Sequence, residues 1–561
     1  MKKWFGSFPC LIILVLVNAA AASAQAPALF FTDLDAAPST GGETVSGYSG
    51  AYVTLYGNYF GSSPTVTLNG ANCVRVVSGP TAWRWYQKLT IQLGSSCTSG
   101  SLVLSSGGQA SNSLPFTIAT GQIYFVSTSG NDSNNGSSSG PWKTIPHAVQ
   151  AAGVAAGNII YVENGVSQTA DDGQGWDAAL TLRQEWCKGT PSRKDALVAY
   201  PGATVQIGPG SASSPSFGLR STDFTASGGA CKGSWTFAGI NFRGVNPTGL
   251  AGGDTWRYVA NDVSNPQASS ASSGAAFETS QATHVRVLGN YFHDLNVGDT
   301  DRLQQGVYFS TDSNHAELGW SEIYNVYGRA GLQIHSSPIA TGTGYAMYDL
   351  LIHDNLIHHI REEGIIVDTV DPSKGAVQVY NNVVYDAGFD GAGTALYRAV
   401  SSDFDTSHGV GTGAVDWFNN TVYCQGGTGC WSSSFEVHQG QALIDRVRNN
   451  VLYAVSGKPY WTPSVSTNNS VCPSNATPSQ CPNFAGSNNL VYDNGAPTYA
   501  AILSNNVNQN PLFVALGSNF QLQSGSPAIG AGTNSSPAAS YDLKGLLRPA
   551  APSIGAYERR P

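Results

Sequence analysis

The sequence predicts an all-β protein, and three features lead to that class. Charged residues make up 11% of the 561 residues, whereas average soluble proteins carry about 25%. Soluble helices need charged outer faces, so this composition argues against a mostly helical chain. Glycine is abundant, with 65 residues, and suits short strands joined by tight turns. The third feature is a repeat of roughly 30 residues, described below, that lacks helical periodicity.

Residues 1–24 have the composition of a secretory signal peptide. Lys2 and Lys3 precede an apolar run over residues 11–17, and the small residues 22–24 predict cleavage before Gln25. The apolar run is too short to span a bilayer, and no later run is long enough. We therefore expect a secreted or periplasmic protein without a membrane span. The net charge of -9 argues against a nucleic-acid partner.

Eight cysteines remain after that cleavage, and they form four pairs of sequence neighbours. This arrangement in an exported chain predicts four disulfides: Cys73–Cys97, Cys187–Cys231, Cys424–Cys430 and Cys472–Cys481. A metal site is the weaker interpretation, because no CxxC pair occurs and no histidine lies at ligand spacing.

Residues 27–119 predict a small all-β module. An alternating strand begins at Val53 and ends in a turn bounded by Gly57 and Gly61, a second strand covers residues 64–70, and a third covers residues 114–118. The G-x-x-F-G turn followed by the P-x-V-x-L-x-G strand resembles the immunoglobulin-like modules called IPT/TIG. That resemblance implies a β-sandwich that acts as a spacer or a sugar-binding appendage, without catalytic residues.

The chain changes character from residue 122 onward. A strand, a polar loop rich in Gly and Asn, a short amphipathic helix over residues 144–152 and an apolar strand ending at Val162 follow in order. We expect this segment, residues 122–162, to cap the end of the structure that follows.

A repeat then fixes the architecture. The pattern Asn-x-apolar-(His/Tyr/Ser), with one Ser in the first position, begins at Asn261, Asn290, Ser321, Asn355, Asn382, Asn420, Asn450 and Asn489. Each copy follows a strand with period-2 alternation, so short strands recur in every repeat. Stacked copies predict a right-handed parallel β-helix with rungs about 4.8 Å apart and an internal asparagine ladder. A β-propeller is the main alternative, but its antiparallel hairpins with two-residue turns are scarce here.

The two ends of this region carry a family resemblance. The opening Tyr-Phe-Val-Ser-x-x-Gly-Asn-Asp with Pro-Trp-Lys-Thr-Ile, and the closing Asn-Pro-Leu-Phe and Ile-Gly-Ala-Tyr-Glu, resemble secreted β-helix carbohydrate-active enzymes. The resemblance covers residues 122–561, with repeat rungs at about 230–495 and C-terminal rungs to 561. It implies a polysaccharide partner, and we expect a monomer. It leaves the reaction open among lyases, hydrolases, epimerases and inactive binders.

A β-helix builds a site as a column, because equivalent outward residues of successive rungs lie side by side. Aligning the Gly-apolar-x-apolar strands points Val307, Leu332 and Ile365 inward. One outward column then comprises Ser310, His335 and Asp368, continues to Arg398 or Tyr397, and reaches His438. A second comprises Tyr308, Gln333, Ile366 and Glu436. A solvated outer face would also be polar, but charge is scarce in this chain, which favours a functional column.

These columns supply the candidate site residues. The candidate catalytic residues are His335, Asp368, Arg398, Tyr397 and Glu436. The candidate substrate-binding residues are Arg302, Arg329, Gln333, Arg361, His438 and Trp431. Clustered carboxylates suit Ca²⁺, and Glu362, Glu363 and Asp390 are the candidate ligands, although solvated turn acids are an equal explanation.

Two mechanisms fit these residues. In a lyase acting on a uronate-containing glycan, His335, with Tyr397 as the substitute, would be the base and Arg398 would neutralise the carboxylate. In a hydrolase, Asp368 and Glu436 would flank the glycosidic bond from positions two rungs apart. The mixed His/Arg/Asp column favours the lyase. A non-catalytic glycan-binding surface protein is the third alternative.

Overall fold

The computed structural model describes residues 25–210, 214–222, 229–265, 274–297, 304–336, 346–388, 398–402, 411–425, 433–437, 443–455, 458–461, 484–493 and 503–559. The N-terminal unit contains nine strands: β1 (Ala28–Thr32), β2 (Ala36–Ala37), β3 (Tyr52–Asn58), β4 (Thr65–Leu68), β5 (Val74–Trp83), β6 (Tyr86–Leu93), β7 (Gly100–Ser106), β8 (Gln109–Ala110) and β9 (Leu114–Ile118).

These strands form two small sheets that share an apolar core. One sheet has the order β1-β3-β6-β5 with antiparallel neighbours, and the other has the order β2-β9-β7-β4, with β8 paired to β7. The core includes Val53, Leu55 and Ile91 from the first sheet and Leu104 and Phe116 from the second. A small β domain therefore precedes the repeats, as the sequence predicts.

The following region consists of strands β10–β42, the helix α1 and one short 3-10 helix. In chain order they are β10 (Ile123–Val126), α1 (Ile145–Ala152), β11 (Ile159–Val162), β12 (Ser167–Gln168), β13 (Ala178–Leu182), the 3-10 helix (Gln184–Trp186), β14 (Asp195–Ala199), β15 (Gln206–Ile207), β16 (Phe217–Ser221), β17 (Trp235–Ala238), β18 (Asn241–Phe242), β19 (Asn246–Ala251), β20 (Arg257–Val259), β21 (Asp262–Asn265), β22 (Ala275–Ser280), β23 (Arg286–Leu288), β24 (Tyr291–Leu295), β25 (Gln305–Ser310), β26 (Glu317–Gly319), β27 (Glu322–Val326), β28 (Leu332–His335), β29 (Leu350–His353), β30 (Leu356–Ile360), β31 (Ile365–Val367), β32 (Val377–Tyr380), β33 (Val383–Ala387), β34 (Arg398–Ser402), β35 (Gly413–Phe418), β36 (Thr421–Cys424), β37 (Ser433–Val437), β38 (Leu443–Arg448), β39 (Val451–Ala454), β40 (Lys458–Trp461), β41 (Phe484–Ser487) and β42 (Leu490–Tyr492).

These strands form three long parallel sheets, which together make a parallel β-helix. Sheet 1 has the order β10-β11-β14-β17-β20-β23-β26-β29-β32-β35-β38-β41, sheet 2 the order β12-β15-β18-β21-β24-β27-β30-β33-β36-β39-β42, and sheet 3 the order β13-β16-β19-β22-β25-β28-β31-β34-β37-β40. The helix α1 buries Ile145, Ala148, Val149 and Ala152 against the first rung. It thereby covers the apolar end of the coil, and the predicted fold class is confirmed.

The asparagine ladder lies at the turn between sheets 1 and 2. In the steps that join two asparagines from Asn261 to Asn489, the side-chain carbonyl of one asparagine accepts hydrogen bonds from the backbone N–H and the side-chain amide of the asparagine one rung earlier. For Asn355 and Asn382 these distances are 3.1 and 2.9 Å. Ser321 fills one step with its hydroxyl, and Asn506 extends the ladder past Asn489. All eight repeat positions therefore form the predicted ladder.

The residue before each ladder position has a left-handed backbone. Its φ lies between 51° and 66° in every rung from Ala260 to Asn505. Asparagine, aspartate and glycine adopt this conformation easily and occupy most of these positions, whereas Ala260 and Trp320 do so against their intrinsic preference. The left-handed residue turns the chain sharply enough to bring sheet 2 directly after sheet 1.

The N-terminal unit packs on the outer face of sheet 1. The hydroxyl of Tyr86 donates a 3.0 Å hydrogen bond to the backbone carbonyl of Trp320, whose ring stacks on Phe30. Nε of Arg84 donates to Glu322 at 2.6 Å, and its guanidinium lies 3.5 Å from the ring centre of Tyr291. One continuous apolar cluster joins the two regions, so this face is unavailable to a polymer.

The chain beyond Asn506 differs from the expected C-terminal rungs. Instead of further parallel strands it forms an antiparallel hairpin, β43 (Phe513–Ala515) with β44 (Asn519–Leu522). The hairpin covers sheet 2 near its C-terminal strands, where Phe520 packs on Tyr385 of β33 and Tyr423 of β36. Residues 526–559 then run along the left-handed turns, because Arg548 and the backbone N–H of Thr533 bind the side-chain carbonyls of Asn381 and Asn449.

Two of the four predicted disulfides are described: Cys73–Cys97 within the N-terminal unit and Cys187–Cys231 near the start of the coil. Cys424 is also disulfide-bonded, while Cys430, Cys472 and Cys481 lie outside the described residues. Disulfides persist in oxidising compartments, which indicates a location outside the cytosol. Within the described ranges, no helix has the length and apolar character needed to cross a membrane.

Candidate functional site

The candidate site lies on the outer face of sheet 3. Alternation along β25 points Val307 and Phe309 into the core, where both are fully buried, and directs Tyr308 and Ser310 outward. The described contacts of the N-terminal unit and of the C-terminal hairpin lie on sheets 1 and 2. Sheet 3 therefore offers an outer face to which neither of them is bound.

The strand register sets the outward columns. Ser310 pairs with His335, and the backbone N–H of Asp368 donates to the carbonyl of Ile334, so Asp368 follows His335 on the next rung. In the parallel column, Tyr308 pairs with Gln333, and the series continues through Ile366, Ser401 and Glu436. The structure thus places His335 and Asp368 side by side, two residues along the strand from the Tyr308 column.

Three side chains on this face form a connected series. The Tyr308 hydroxyl lies 3.1 Å from Nδ1 of His335, and Nε2 of His335 lies 3.7 Å from a carboxylate oxygen of Asp368. The other Asp368 oxygen accepts a 3.0 Å hydrogen bond from the Thr369 hydroxyl. The side chains of His335 and Asp368 are 17% and 9% exposed, so their surroundings partly remove them from water. This series can pass a proton between Tyr308 and His335 and stabilise the imidazolium that results.

Positive charge stands close to this series. Arg329 precedes β28, and its Nε lies 3.6 Å from a carboxylate oxygen of Glu362. Arg361 donates to the backbone carbonyl of Tyr327 at 2.9 Å, while the Gln333 amide oxygen accepts from Gln305 at 2.8 Å. Of the predicted binding residues, Gln333 pairs in register with Tyr308, and Arg329 is near enough for its charge to act on the Tyr308 hydroxyl.

The electrostatics of the face centre on Tyr308 and Glu278, which pair in register on adjacent rungs. Burial raises the pKa of Tyr308, and the nearby charges of Glu278 and Asp368 raise it further, while Ser310 and Arg329 act in the opposite direction. Burial also raises the pKa of Glu278, and Arg220 only partly compensates. Both groups therefore hold their protons more tightly than they would in water.

The predicted place of Arg398 in the His335 column is wrong. Val400 pairs with Ile365 and Ser402 with Val367, so the position after Asp368 falls at residue 403. The pattern over residues 393–398 fits the strand template in two ways, and β34 adopts neither alignment. Arg398 lies two residues before Val400, at the start of its strand.

Other predicted site residues have no described side chain. Arg398 and Glu436 are described in their backbone alone, and Arg302, Asp390, Tyr397, Trp431 and His438 lie outside the described residues. Glu362 and Glu363 are each 6% exposed, and the described part of the chain brings together no three acidic, His or Cys side chains that could hold a metal. The calcium site therefore stays a prediction.

Sequence reasoning did not select Tyr308, Glu278 or Arg220 for the site. The strand alignment predicts the column of Tyr308 correctly, but no spacing in the sequence reports its contact with His335 across the rungs. Glu278 and Arg220 lie in the same column further towards the N-terminal end, at β22 and β16. Extending the strand alignment upstream of Gly306 would have found both.

Comparisons with known proteins give the fold alone. No protein-family model matches the chain, and no curated protein matches it. Similar solved structures include XylC in complex with xylose, with 11% identity and a TM-score of 0.44 over 78% of this chain and 98% of that one. A rhamnogalacturonan lyase has 13% identity and a TM-score of 0.42 over 71% and 91%. An alginate lyase from Paenibacillus sp. str. FPU-7 has 16% identity and a TM-score of 0.37 over 65% and 96%. At these values the likenesses assign no activity to the chain.

Proposed function

We propose that the chain is a polysaccharide lyase that cleaves a uronate-containing glycan by β-elimination on the outer face of sheet 3. The observation that carries this proposal is the hydrogen bond between the Tyr308 hydroxyl and His335, with Asp368 on the far side of the imidazole. A hydroxyl paired with a basic nitrogen at a partly buried position is suited to proton transfer.

The reaction follows from these three groups. The Tyr308 oxygen takes the proton on the carbon next to the uronate carboxylate, while the Tyr308 proton moves to Nδ1 of His335. The released electron pair forms the carbon–carbon double bond as the glycosidic carbon–oxygen bond breaks. The leaving oxygen takes a proton from Tyr308, which recovers its own from His335, so no water is consumed. Asp368 stabilises the transient imidazolium, and Arg329 neutralises the uronate carboxylate.

Hydrolysis by two carboxylates has less support from the described residues. Glu278 and Asp368 are three rungs and two residues along the strand apart, which separates their backbones by about 16 Å, whereas hydrolases place their carboxylates at most about 9.5 Å apart. Glu436 is two rungs from Asp368, but its register with Ile366 shifts it two residues along the strand. The backbones are then roughly 12 Å apart, beyond the span for a paired mechanism without leaning side chains.

The test is a screen of uronic and neutral polysaccharides with two simultaneous readouts. We expect new reducing ends together with near-ultraviolet absorbance from an unsaturated uronate. Reducing ends without absorbance would identify a hydrolase, and retardation in an affinity gel without cleavage would identify a binder. An arm with EDTA tests the calcium prediction, since a bound Ca²⁺ that helps neutralise the carboxylate would make turnover sensitive to chelation and recoverable by added Ca²⁺.

A further inference from the structure

A cluster of Trp176, Phe217 and Arg220 lies at the N-terminal end of the same outer face. The Arg220 guanidinium lies 4.8 Å from the ring centre of Trp176 and 4.5 Å from that of Phe217. Its NH1 group donates to the backbone carbonyl of Trp176 at 3.3 Å. Among the described residues Arg220 has no carboxylate partner. The two rings therefore hold the Arg220 guanidinium in place. Its remaining N–H groups are available to bind a ligand.

Local packing fixes this cluster on the column that contains Tyr308. Arg220 pairs with Gly249, which pairs with Glu278, which in turn pairs with Tyr308. A Cβ atom at Gly249 would lie 2.9 Å from the Phe217 ring, so the absent side chain leaves room for that ring across the column. Trp176 lies in the loop that precedes β13. Asp172 of the same loop accepts hydrogen bonds from the backbone N–H and the hydroxyl of Thr181 in β13, which holds the loop against that strand.

The charges along this column alternate in sign. Arg220 is positive, Glu278 two rungs on carries a half-buried carboxyl without a hydrogen bond or ion pair among the described residues, and Arg329 stands near Tyr308. Arg220 and Tyr308 are three rungs apart, about 14 Å, which exceeds the length of one sugar residue. A ligand carboxylate is attracted by Arg220 at one end of this stretch and by Arg329 at the other, and it is repelled by the Glu278 carboxylate between them.

We infer that Arg220 binds a second substrate carboxylate, and that the outer face of sheet 3 selects a glycan whose uronate residues are separated by neutral sugars. This inference rests on the proposed function, because it assigns the first uronate to Tyr308 and Arg329. A planar guanidinium held between aromatic rings is well suited to a carboxylate, and a neutral sugar can donate hydroxyl hydrogen bonds to Glu278. A homopolyuronate would instead place a like charge against Glu278.

Affinity electrophoresis tests this inference without relying on turnover. Gels would contain gellan, whose glucuronates are separated by neutral sugars, or polygalacturonate, or neutral dextran, and the protein would carry Tyr308→Phe so that the glycan stays intact. Arg220→Met should weaken binding to gellan by about tenfold. Glu278→Gln should strengthen binding to polygalacturonate severalfold, and Gly249→Ala should weaken gellan binding by displacing Phe217.

Arg286→Met is the matched control, because it removes the same charge from an exposed arginine on sheet 1. Equal retardation of Arg220→Met, Glu278→Gln and the control by acidic glycans would overturn the inference while leaving the lyase proposal intact. Cleavage without the unsaturated product would instead contradict the lyase proposal, and it would be measured separately by absorbance. Thermal unfolding of each variant checks that the half-exposed positions alter binding and not folding.

Discussion

At the scale of single residues, the site depends on contacts that cross between rungs. Tyr308 and His335 are 27 residues apart in the sequence, yet the Tyr308 hydroxyl lies 3.1 Å from Nδ1 of His335 on the outer face of sheet 3. The period-2 alternation predicts which side chains of β25 and β28 point outward, and the repeat length predicts that His335 and Asp368 are neighbours. Neither pattern reports side-chain direction, so the partner of His335 could not be predicted.

Replacing Tyr308 by Phe should lower turnover by about 10²–10⁴-fold, because only the proton-carrying oxygen is lost. His335→Ala and Asp368→Ala should each lower turnover at least about a hundredfold. Steady-state rates of product absorbance, with thermal unfolding measured in parallel, check this expectation. His284→Gln, at an exposed histidine on another face, is the control. Near-normal rates for Tyr308→Phe and His335→Ala would discard the site.

His353 makes a second prediction at this scale. Burial alone would lower its pKa, but hydrogen bonds to Asp354 at 2.8 Å and Glu317 at 3.1 Å prevail and raise the pKa to about 9. A pKa raised in the folded state stabilises fully below the unfolded value near 6.5 and is lost as pH rises through 9. The free energy of unfolding should therefore fall by about 3 kcal/mol between pH 6.5 and 10.

Denaturant unfolding at several pH values measures this decline. His353→Gln should remove most of the slope above pH 6.5, whereas the exposed control His284→Gln should keep it. An unchanged slope in His353→Gln would show that other groups cause the decline.

At the scale of elements, the asparagine ladder is the part of the fold that the sequence predicts best. Its eight positions repeat visibly because a buried polar side chain must accept the backbone N–H of the preceding rung, and in most steps its side-chain amide as well. The left-handed residue before each ladder position is less visible, since Ala260 and Trp320 occupy it as well as Asn and Gly. At those two positions the conformation is imposed by the neighbouring rungs and not by the residue type.

Asn382→Ala should lower the free energy of unfolding by about 3 kcal/mol. The change leaves the backbone N–H and the side-chain amide of Asn355 without their acceptor inside a buried turn. Denaturant titration with Asn135→Ala as the control, at an exposed loop position, measures the difference. A loss below about 1 kcal/mol for Asn382→Ala would mean that water replaces the missing acceptor.

At the scale of the whole molecule, the arrangement of the parts was harder to predict than the parts themselves. Strands such as β11 and β17 are buried on both faces, and that two-sided apolar pattern was the available signal that something covers sheet 1. That the N-terminal unit is what covers sheet 1 depends on contacts between the two regions, such as that of Arg84 with Glu322. A sequence pattern does not encode such contacts. The expectation of C-terminal rungs rests on the family resemblance of the closing motifs, and those motifs do not report that β43 and β44 pair as an antiparallel hairpin.

Buried acids spread over the molecule predict a second pH dependence. Burial raises the pKa of Asp33 in the N-terminal unit to about 6 and that of Asp195 in sheet 1 to about 7. A raised acid pKa means that ionisation opposes folding, so the contribution of these two acids to stability is greatest below about pH 4 and is lost as pH rises through these values. Asp33→Asn should remove about 3 kcal/mol of the decline between pH 4 and 7.

This window lies below that of His353, so the two effects are separable in one titration. Urea unfolding of Asp33→Asn from pH 4 to 8 measures the change, with exposed Asp171→Asn as the control. If both variants keep the wild-type slope below pH 7, Asp33 does not carry the effect.

The hydrogen bond from the Asn58 side chain to the carbonyl of Lys544 joins residues separated by 486 positions. For a flexible chain, closing a loop of that length would cost about 5 kcal/mol in entropy. Because a polypeptide is made from its amino end, Asn58 must wait for nearly the whole chain before its partner exists. Rungs completed earlier shorten that search, and a nascent chain stalled midway would leave the Asn58 side-chain amide without the carbonyl of Lys544.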